Sequence, residues 1–190
     1  MDSPAGIDDA RRVRTLVEHL ASYASYHRDK RNIATHFVGI PMIVVGTQSL
    51  LARVGIGPLN LAVAGTALAS RYYRKLDPDF GKVMTTALGV TCVAGTAIAA
   101  LPFPIWAATS GTLFAGGWAI QFLGHKFEGK KPAFLDDLAS LLIGPLFLAA
   151  EAAFALGMAK ELRDEIEKQV GPARWGQVAE AAPEAAANVA

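Results

Sequence analysis

The sequence predicts an all-α fold, a polytopic integral membrane helical bundle, and two observations carry that prediction. Of its 190 residues, 52% are hydrophobic and only 18% are charged, whereas soluble domains carry about 25% charged residues. The missing charges are also localised, since no Asp, Glu, Lys or Arg occurs in residues 33–52, 54–70 or 83–124. A buried soluble bundle of this size cannot leave such long stretches without charge, so we expect a membrane domain.

The charge-free stretches predict four membrane spans. One span needs about 20 apolar residues, so residues 33–52 and 54–70 each supply one. Residues 83–124 are long enough for two, and Pro102 and Pro104 near their middle favour a tight turn between these spans.

The last apolar stretch, residues 138–159, is predicted to be a broken or re-entrant helical segment. Pro145 follows Gly144 near one end and removes a helix hydrogen bond. Glu151 near the middle would place an ionisable group deep in the bilayer, where it is costly unless it faces protein or water. A fifth complete span is the alternative.

Positive charge decides the expected orientation. With four spans, the N-terminal segment, the 71–82 loop and the 125–137 segment share one side and carry six, four and three Lys/Arg residues, whereas the other side carries only Arg53. A re-entrant last segment adds the four basic residues of the tail to the same side. Because basic residues favour the cytoplasmic side, both termini are expected to be cytoplasmic.

Composition also fixes the expected domains and excludes some functions. We divide the chain into an N-terminal cytoplasmic or interfacial segment (1–32), a membrane domain (33–159) and a polar C-terminal tail (160–190). Lys+Arg 18 against Asp+Glu 17 leave a net charge of +1, which is too little basic excess to expect a nucleic acid as partner. A single cysteine, Cys92, excludes an internal disulfide and a Cys-based zinc site.

Three of the four histidines lie near the membrane boundary on the positively charged side. His27 and His36 flank the start of the first span, and His125 ends the fourth. At about 100° per residue, one straight helix would put His27 and His36 on opposite faces, so they converge only if the chain turns between them. The intervening residues suit a turn, with Asn32 as cap of the next helix. These imidazoles can form a metal site; the alternative is interfacial histidines that only hydrogen-bond.

A second polar cluster ends the fourth span. Trp118, Gln121 and His125 share one helix face at i, i+3 and i+7, and Glu128 continues that face if the helix persists. Glu128 can then bind the same metal as His125 or orient the imidazole by a hydrogen bond. The alternatives are an ordinary interfacial helix end and a haem site, although His36 and His125 lie at the same end of the bilayer and no CxxCH motif occurs.

At these two clusters the sequence resembles a family of small integral membrane proteins. Its best-known member is a fungal endoplasmic-reticulum enzyme that oxidises 2-hydroxy fatty acids during phytosphingosine breakdown. The resemblance covers residues 20–155 and rests on the motifs Tyr26-His27-x4-Asn32-x3-His36-x2-Gly39-x-Pro41, Trp118-x2-Gln121-Phe-x-Gly124-His125-x-Phe-Glu128-x3-Pro132-Ala133, Leu135-Asp-Asp-Leu138 and Pro145-Leu-Phe-Leu-x2-Glu151.

The resemblance implies an Fe(II)-dependent dioxygenase that uses O₂ to shorten a 2-hydroxy fatty acid by one carbon. It implies His27, His36 and His125 as the iron-site residues, with Glu128 as a further ligand or a hydrogen-bond partner. Imidazole and carboxylate suit non-haem iron, which keeps open positions for substrate and O₂. The side chains expected to bind the acidic head of the substrate are Arg28, Arg31, Gln121 and Lys126.

The expected surroundings are a lipid bilayer, and the Ala-rich, bacterial character of the sequence suggests a bacterial inner membrane. Such a protein need not meet phytosphingosine, so its natural 2-hydroxy fatty acid is left open, as is a homo-oligomer. A different class also stays open, namely a non-enzymatic membrane scaffold or small transporter with structural or pH-sensing histidines. Bound metal and oxygen consumption distinguish the two classes.

Overall fold

The computed structural model describes residues 16–57 and 59–176, and these residues are mainly helical. The helices in chain order are α1 (16–24 in the described part), α2 (Lys30–Ala52), α3 (Leu61–Leu76), α4 (Pro78–Ala99), α5 (Phe103–Glu128), α6 (Ser140–Ala155) and α7 (Lys160–Val170). Strands β1 (Gly55–Ile56) and β2 (Leu59–Asn60) pair antiparallel before α3, and a 3-10 helix (Ala133–Leu135) precedes α6. The prediction of a helical fold is confirmed.

Two of these helices, α2 and α4, are long and apolar enough to cross a membrane. A third candidate combines α6 and α7, which are bent by 115° at the short break between them. The described helices α3 and α5 do not meet the same criteria of length and hydropathy. The membrane helices are therefore supported in part, and the number of four spans stays a prediction.

The second charge-free stretch does not begin as helix. Gly55 has a φ of 141° and Gly57 a φ of 56°, backbone conformations that glycine adopts without steric cost, and the chain forms the β1–β2 hairpin here. The Asn60 side chain then accepts a hydrogen bond from the Val63 N–H and caps α3. The helix of the second predicted span therefore starts at Leu61.

Helices α3 and α4 meet at an abrupt break instead of the loop predicted over 71–82. The break is Asp77, whose side chain accepts hydrogen bonds from the backbone N–H groups of Asp79 and Phe80. Pro78 occupies the first position of α4, where a missing N–H costs no helix hydrogen bond. Three of the four basic residues of this region therefore stand on the last turns of α3, and the fourth, Lys82, lies on the first turns of α4.

Helices α2 and α5 make the most extensive contact among the described elements. A Cβ added at Gly117 would lie 2.7 Å from Ile43 Cγ1 and 2.8 Å from Gly39 O, and one added at Gly46 would lie 2.8 Å from Phe114 N. Glycine at these positions allows the two backbones to approach closely. The α2–α5 pair therefore forms a rigid centre for the bundle.

The chain turns between α1 and α2, as the sequence predicted, but the helix cap differs. Asp29, and not Asn32, is the N-cap of α2: its side chain accepts from the Arg31 N–H at 2.9 Å. Asp and Asn are about equally good caps, so the choice depends on tertiary contacts. Asn32 lies inside the first turn of the helix, where its amide reaches α5.

The end of the described chain returns to the start of α2. Lys30 N donates to Arg174 O, and Arg174 N donates to Arg28 O, each at 2.8 Å. Arg28 Nη1 also donates to Gly171 O at 2.7 Å. Residues 171–174, which we name the C-terminal strap, therefore hold the turn before α2, although the sequence placed them in a separate polar tail.

Candidate metal centre

The structure brings together the three histidines that the sequence singled out. One candidate ligand atom from each of His27, His36 and His125 lies within 4.8 Å of the other two. Their ring centroids are 4.5 to 5.2 Å apart, and the residues are 0%, 2% and 6% exposed, respectively. Three elements supply them, namely the turn before α2, the start of α2 and the end of α5.

Backbone carbonyls fix the tautomers of two of these rings. His27 Nδ1 lies 2.7 Å from Tyr23 O, and His36 Nδ1 lies 2.9 Å from Asn32 O. A carbonyl oxygen only accepts, so each Nδ1 carries the proton and each neutral ring presents a lone pair at Nε2. These two Nε2 atoms face each other at 3.0 Å. Two lone pairs at that distance repel unless a proton or a cation lies between them.

A metal cation fits this arrangement. Nδ1–H bonds to backbone carbonyls are typical of metal-binding histidines, because they orient the ring and raise its basicity. The Tyr23 ring stacks on His27 with centroids 4.2 Å apart, and burial lowers the pKa of His27 well below its usual value. The donor set is thus three shielded imidazoles, which suit a borderline transition metal such as iron or zinc.

Glu128 binds the turn before α2 and is not part of the three-histidine cluster. Its Oε1 accepts from Arg28 N and its Oε2 from Asp29 N, both at 2.8 Å, and Oε2 also accepts from Asn32 Nδ2 at 3.1 Å. The buried carboxylate lies at the N-terminus of α2, where the helix dipole favours negative charge. The geometry therefore favours a positioning role, in which Glu128 holds the turn that carries His27.

A cavity of about 80 Å³ opens beside the histidines, between α1, α2, α5 and α6. His36, His125 and Gln121 line it together with mainly apolar side chains, among them Trp118. The buried Gln121 Oε1 has no hydrogen-bond partner in the described part of the chain. A polar ligand in the cavity can donate to this oxygen, so Gln121 is well placed for its predicted role in substrate binding.

The three basic residues predicted to bind an acidic head do not line this cavity. Arg28 is buried and lines a separate cavity with Glu151. Arg31 pairs with Asp29 at 2.6 Å, and Lys126 is exposed. Arg28 and Arg31 therefore have structural contacts at the turn, and a role of any of the three in binding substrate stays a prediction.

Two contributions to the site were missed by the sequence interpretation. Tyr23 supplies both a carbonyl acceptor and a stacked ring to His27, and the i, i+4 spacing of these residues is a signal that could have indicated it. Tyr26 donates to Asp136 Oδ2 at 2.8 Å, and Lys131 pairs with the same carboxylate. These bonds lower the pKa of Asp136 and tie the loop after α5 to the turn.

The fold and the site together define an apolar helical protein with a buried three-histidine centre that can hold a metal ion. A family model described as "2-hydroxy-palmitic acid dioxygenase Mpo1-like" matches residues 13–156. The chain therefore belongs to the Mpo1-like family, which confirms the resemblance seen in the two motifs and identifies the chain as a dioxygenase.

A curated relative agrees with this assignment. The chain is 29% identical to the 2-hydroxy-palmitic acid dioxygenase MPO1 of Saccharomyces cerevisiae over 155 residues, which is 80% of this chain and 87% of the yeast protein. No solved structure matches significantly.

Proposed function

We propose that this protein is an Fe(II)-dependent dioxygenase that converts a 2-hydroxy fatty acid and O₂ into the fatty acid one carbon shorter, CO₂ and water. The observation that carries the proposal is the pair of Nε2 atoms of His27 and His36, which face each other beside His125 with both Nδ1 atoms already bonded. The substrate class is supported by the family description and by the name of the yeast relative.

The residues of this chain would hold the metal and orient the substrate. His27, His36 and His125 would be the ligands, and Fe(II), when bound, supplies open positions for the substrate's carboxylate and hydroxyl and for O₂. Gln121 Oε1 lies in the cavity wall with no partner in the described part of the chain, so it accepts a hydrogen bond from the 2-hydroxyl. The apolar wall receives the first carbons of the acyl chain and excludes water.

The membrane arrangement belongs to the same proposal. Helices α2, α3, α4 and α5 form four spans of a bacterial inner membrane protein, with both termini cytoplasmic and the histidines near that face. Arg53, which marks the opposite end, donates to the carbonyls of Ala99 and Leu101. These carbonyl oxygens at the end of α4 hold the Arg53 guanidinium, the only positive charge on the side opposite the histidines in this arrangement, where few cations are expected.

Metal analysis combined with oxygen uptake tests the function. Protein purified in detergent and reconstituted with Fe(II) is expected to hold about one iron per chain and to consume O₂ with 2-hydroxypalmitate but not with palmitate. His27→Ala and His125→Ala are expected to lose both iron and O₂ uptake. His19→Ala is the matched control, because His19 lies on α1 outside the cluster.

The outcomes separate the competing classes. A His27→Ala variant that keeps iron, activity and helical content would contradict the assigned ligands. Wild-type protein that binds no metal and consumes no O₂ would instead favour the non-enzymatic scaffold or transporter, and a Soret band would indicate haem.

A further inference from the structure

A second and larger cavity lies between α3 and α4. It is a groove of about 850 Å³ and shares no lining residue with the cavity beside the histidines. Its walls are mainly apolar and include Val63 and Ala67 of α3 and Val93 of α4. The groove is therefore a separate feature of the molecule that the dioxygenase site does not use.

The groove exists because the two helices diverge. Near their connection they touch, since a Cβ added at Gly81 would lie 2.5 Å from Arg74 Cα. Farther along α4, a Cβ added at Gly89 would meet no atom within 4 Å. At the open end, the side chains of Val63 and Val93 are 43% and 72% exposed. The result is a channel that is closed at one end and lined along its length by small apolar and hydroxyl side chains.

The closed end is positively charged. Arg71, Arg74 and Lys75 are exposed and line it, and Arg74 Nε donates to Thr85 Oγ1 at 3.1 Å, which holds the guanidinium over the groove. Among the described residues, no acidic side chain lines the groove and no ion pair uses these three cations. An apolar channel that ends in uncompensated cations is complementary to an anionic amphiphile.

We propose that this groove binds an anionic phospholipid, with its phosphate at Arg71, Arg74 and Lys75 and one acyl chain along the apolar walls. Residues 63 to 75 of α3 span about 18 Å at 1.5 Å per residue, close to the roughly 15 Å of hydrocarbon in one leaflet. Basic pockets between membrane helices bind anionic headgroups in this way. A fatty-acid carboxylate, like a phosphodiester, offers two charged oxygens, so palmitate is the competitor in the test.

Native mass spectrometry of the detergent-purified protein tests this proposal. The probes are phosphatidylglycerol and phosphatidylcholine with identical palmitoyl and oleoyl chains. At about 1 kcal/mol per cation, the wild-type protein is expected to bind phosphatidylglycerol at least about tenfold more tightly. Replacing Arg71 and Lys75 together by Gln leaves Arg74 and is expected to lower this preference by about tenfold or more, and Gly89→Leu fills the channel and weakens binding of both lipids.

Two matched controls separate the groove from general surface effects. Lys82→Gln removes a nearby cation that pairs with Asp79 and does not line the groove. Gly65→Leu adds the same side chain to α3 at a position with open space outside the groove. Both controls are expected to bind phosphatidylglycerol as the wild type does.

Three results would overturn the proposal. They are equal binding of the two lipids, unchanged binding in a folded Gly89→Leu variant, and displacement of phosphatidylglycerol by equimolar palmitate, which would make the groove a fatty-acid site. The iron content of each variant is measured in parallel. The groove and the cavity beside the histidines have different lining residues. Failure of the lipid site and failure of the proposed function are therefore distinguishable.

Discussion

Two helix pairs in this protein use glycine in opposite ways. In the α2–α5 pair, a Cβ at Gly117 or Gly39 would collide with the partner backbone, and one at Gly124 would collide with the side chains of Thr35 and Asn32. In the α3–α4 pair, a Cβ at Gly89 would meet nothing. Glycine thus allows close contact along the α2–α5 interface, whereas in the α3–α4 pair close contact at Gly81 near the connection gives way to open space at Gly89.

The difference shows what positions the histidines. Close approach of α2 and α5 allows His36 and Asn32 of one helix to reach His125 and Glu128 of the other. In the open pair, the hydrogen bond from Arg74 to Thr85 lies near the connected end, and farther along the groove Gly89 of α4 faces open space. A metal centre needs ligands held to within a fraction of an ångström, and two of the three candidate ligands, His36 and His125, lie on the close-packed pair.

The largest expected effect comes from adding a large side chain between the two close-packed helices. We expect Gly117→Leu to lower the free energy of unfolding by about 3 kcal/mol or more, because overpacking costs 1–3 kcal/mol even where side chains can adjust and here the obstacle includes a backbone oxygen. Gly111→Leu, on the same helix with open space around its Cβ, is the control. Thermal unfolding followed by circular dichroism measures the difference, and equal unfolding temperatures would contradict the contrast between the two pairs.

A smaller effect is expected from weakening the hydrogen bonds of Glu128 at the end of the close-packed α2–α5 pair. Glu128→Gln keeps the size of the side chain but replaces one carboxylate oxygen by an NH₂ group. One of the backbone N–H groups in the turn then loses its acceptor. We expect metal affinity to fall about ten- to a hundredfold, as for other residues that orient metal ligands. Competition with a coloured chelator measures this fall. Glu161→Gln on the exposed face of α7 is the control, and an affinity equal to that control would exclude a positioning role.

The C-terminal strap provides a third test, which asks what holds the turn before α2. Deleting residues 171–190 removes the Gly171 carbonyl bound by Arg28 and both backbone bonds of Arg174. We expect a several-fold loss of metal affinity with helical content retained, because Glu128 still holds the turn. Deleting only 177–190 leaves the strap in place and should change nothing. If both deletions behave alike, the strap does not contribute to the site.

The smallest expected effect comes from removing the negative charge of Asp29, the N-cap of α2. Asp29→Asn keeps a good N-cap but removes the ion pair with Arg31, so we expect a loss of less than about 1 kcal/mol. The hydrogen bonds from Arg31 lower the pKa of Asp29. Its charged form therefore stabilises the fold above the unfolded pKa of about 3.9, and this contribution is lost as the pH falls through the lower folded pKa. Chemical denaturation at pH 7 and pH 3 measures this contribution as the difference in free energy of unfolding between wild type and variant. A difference that is larger at pH 3 than at pH 7 would contradict the prediction.

Much of the site could be predicted from the sequence because its signals are local. The need for a turn between His27 and His36 follows from helix geometry, and the shared face of Gln121, His125 and Glu128 follows from spacing. The partners of Glu128 could not be predicted, because they are mainly backbone N–H groups that no residue type reveals. Asp29 and Asn32 are equally good caps, and only the contact of Asn32 with α5 distinguishes them.

The open groove could not be predicted for a similar reason. Gly89 and Gly117 lie in the same charge-free stretch of sequence, and whether a glycine faces a neighbour or empty space depends on how the helices diverge. The charge-free stretches likewise gave the approximate positions of the helices, while the start of α3 depended on the backbone conformations of Gly55 and Gly57.

The wide separation of His36 and His125 along the chain has a consequence for biosynthesis. The ribosome synthesises His27 and His36 before α3 and α4, and His125 only at the end of α5. The proposed metal ion needs all three side chains as ligands, so it can bind only after α5 has been made. A nascent chain arrested before the end of α5 would therefore lack the third ligand.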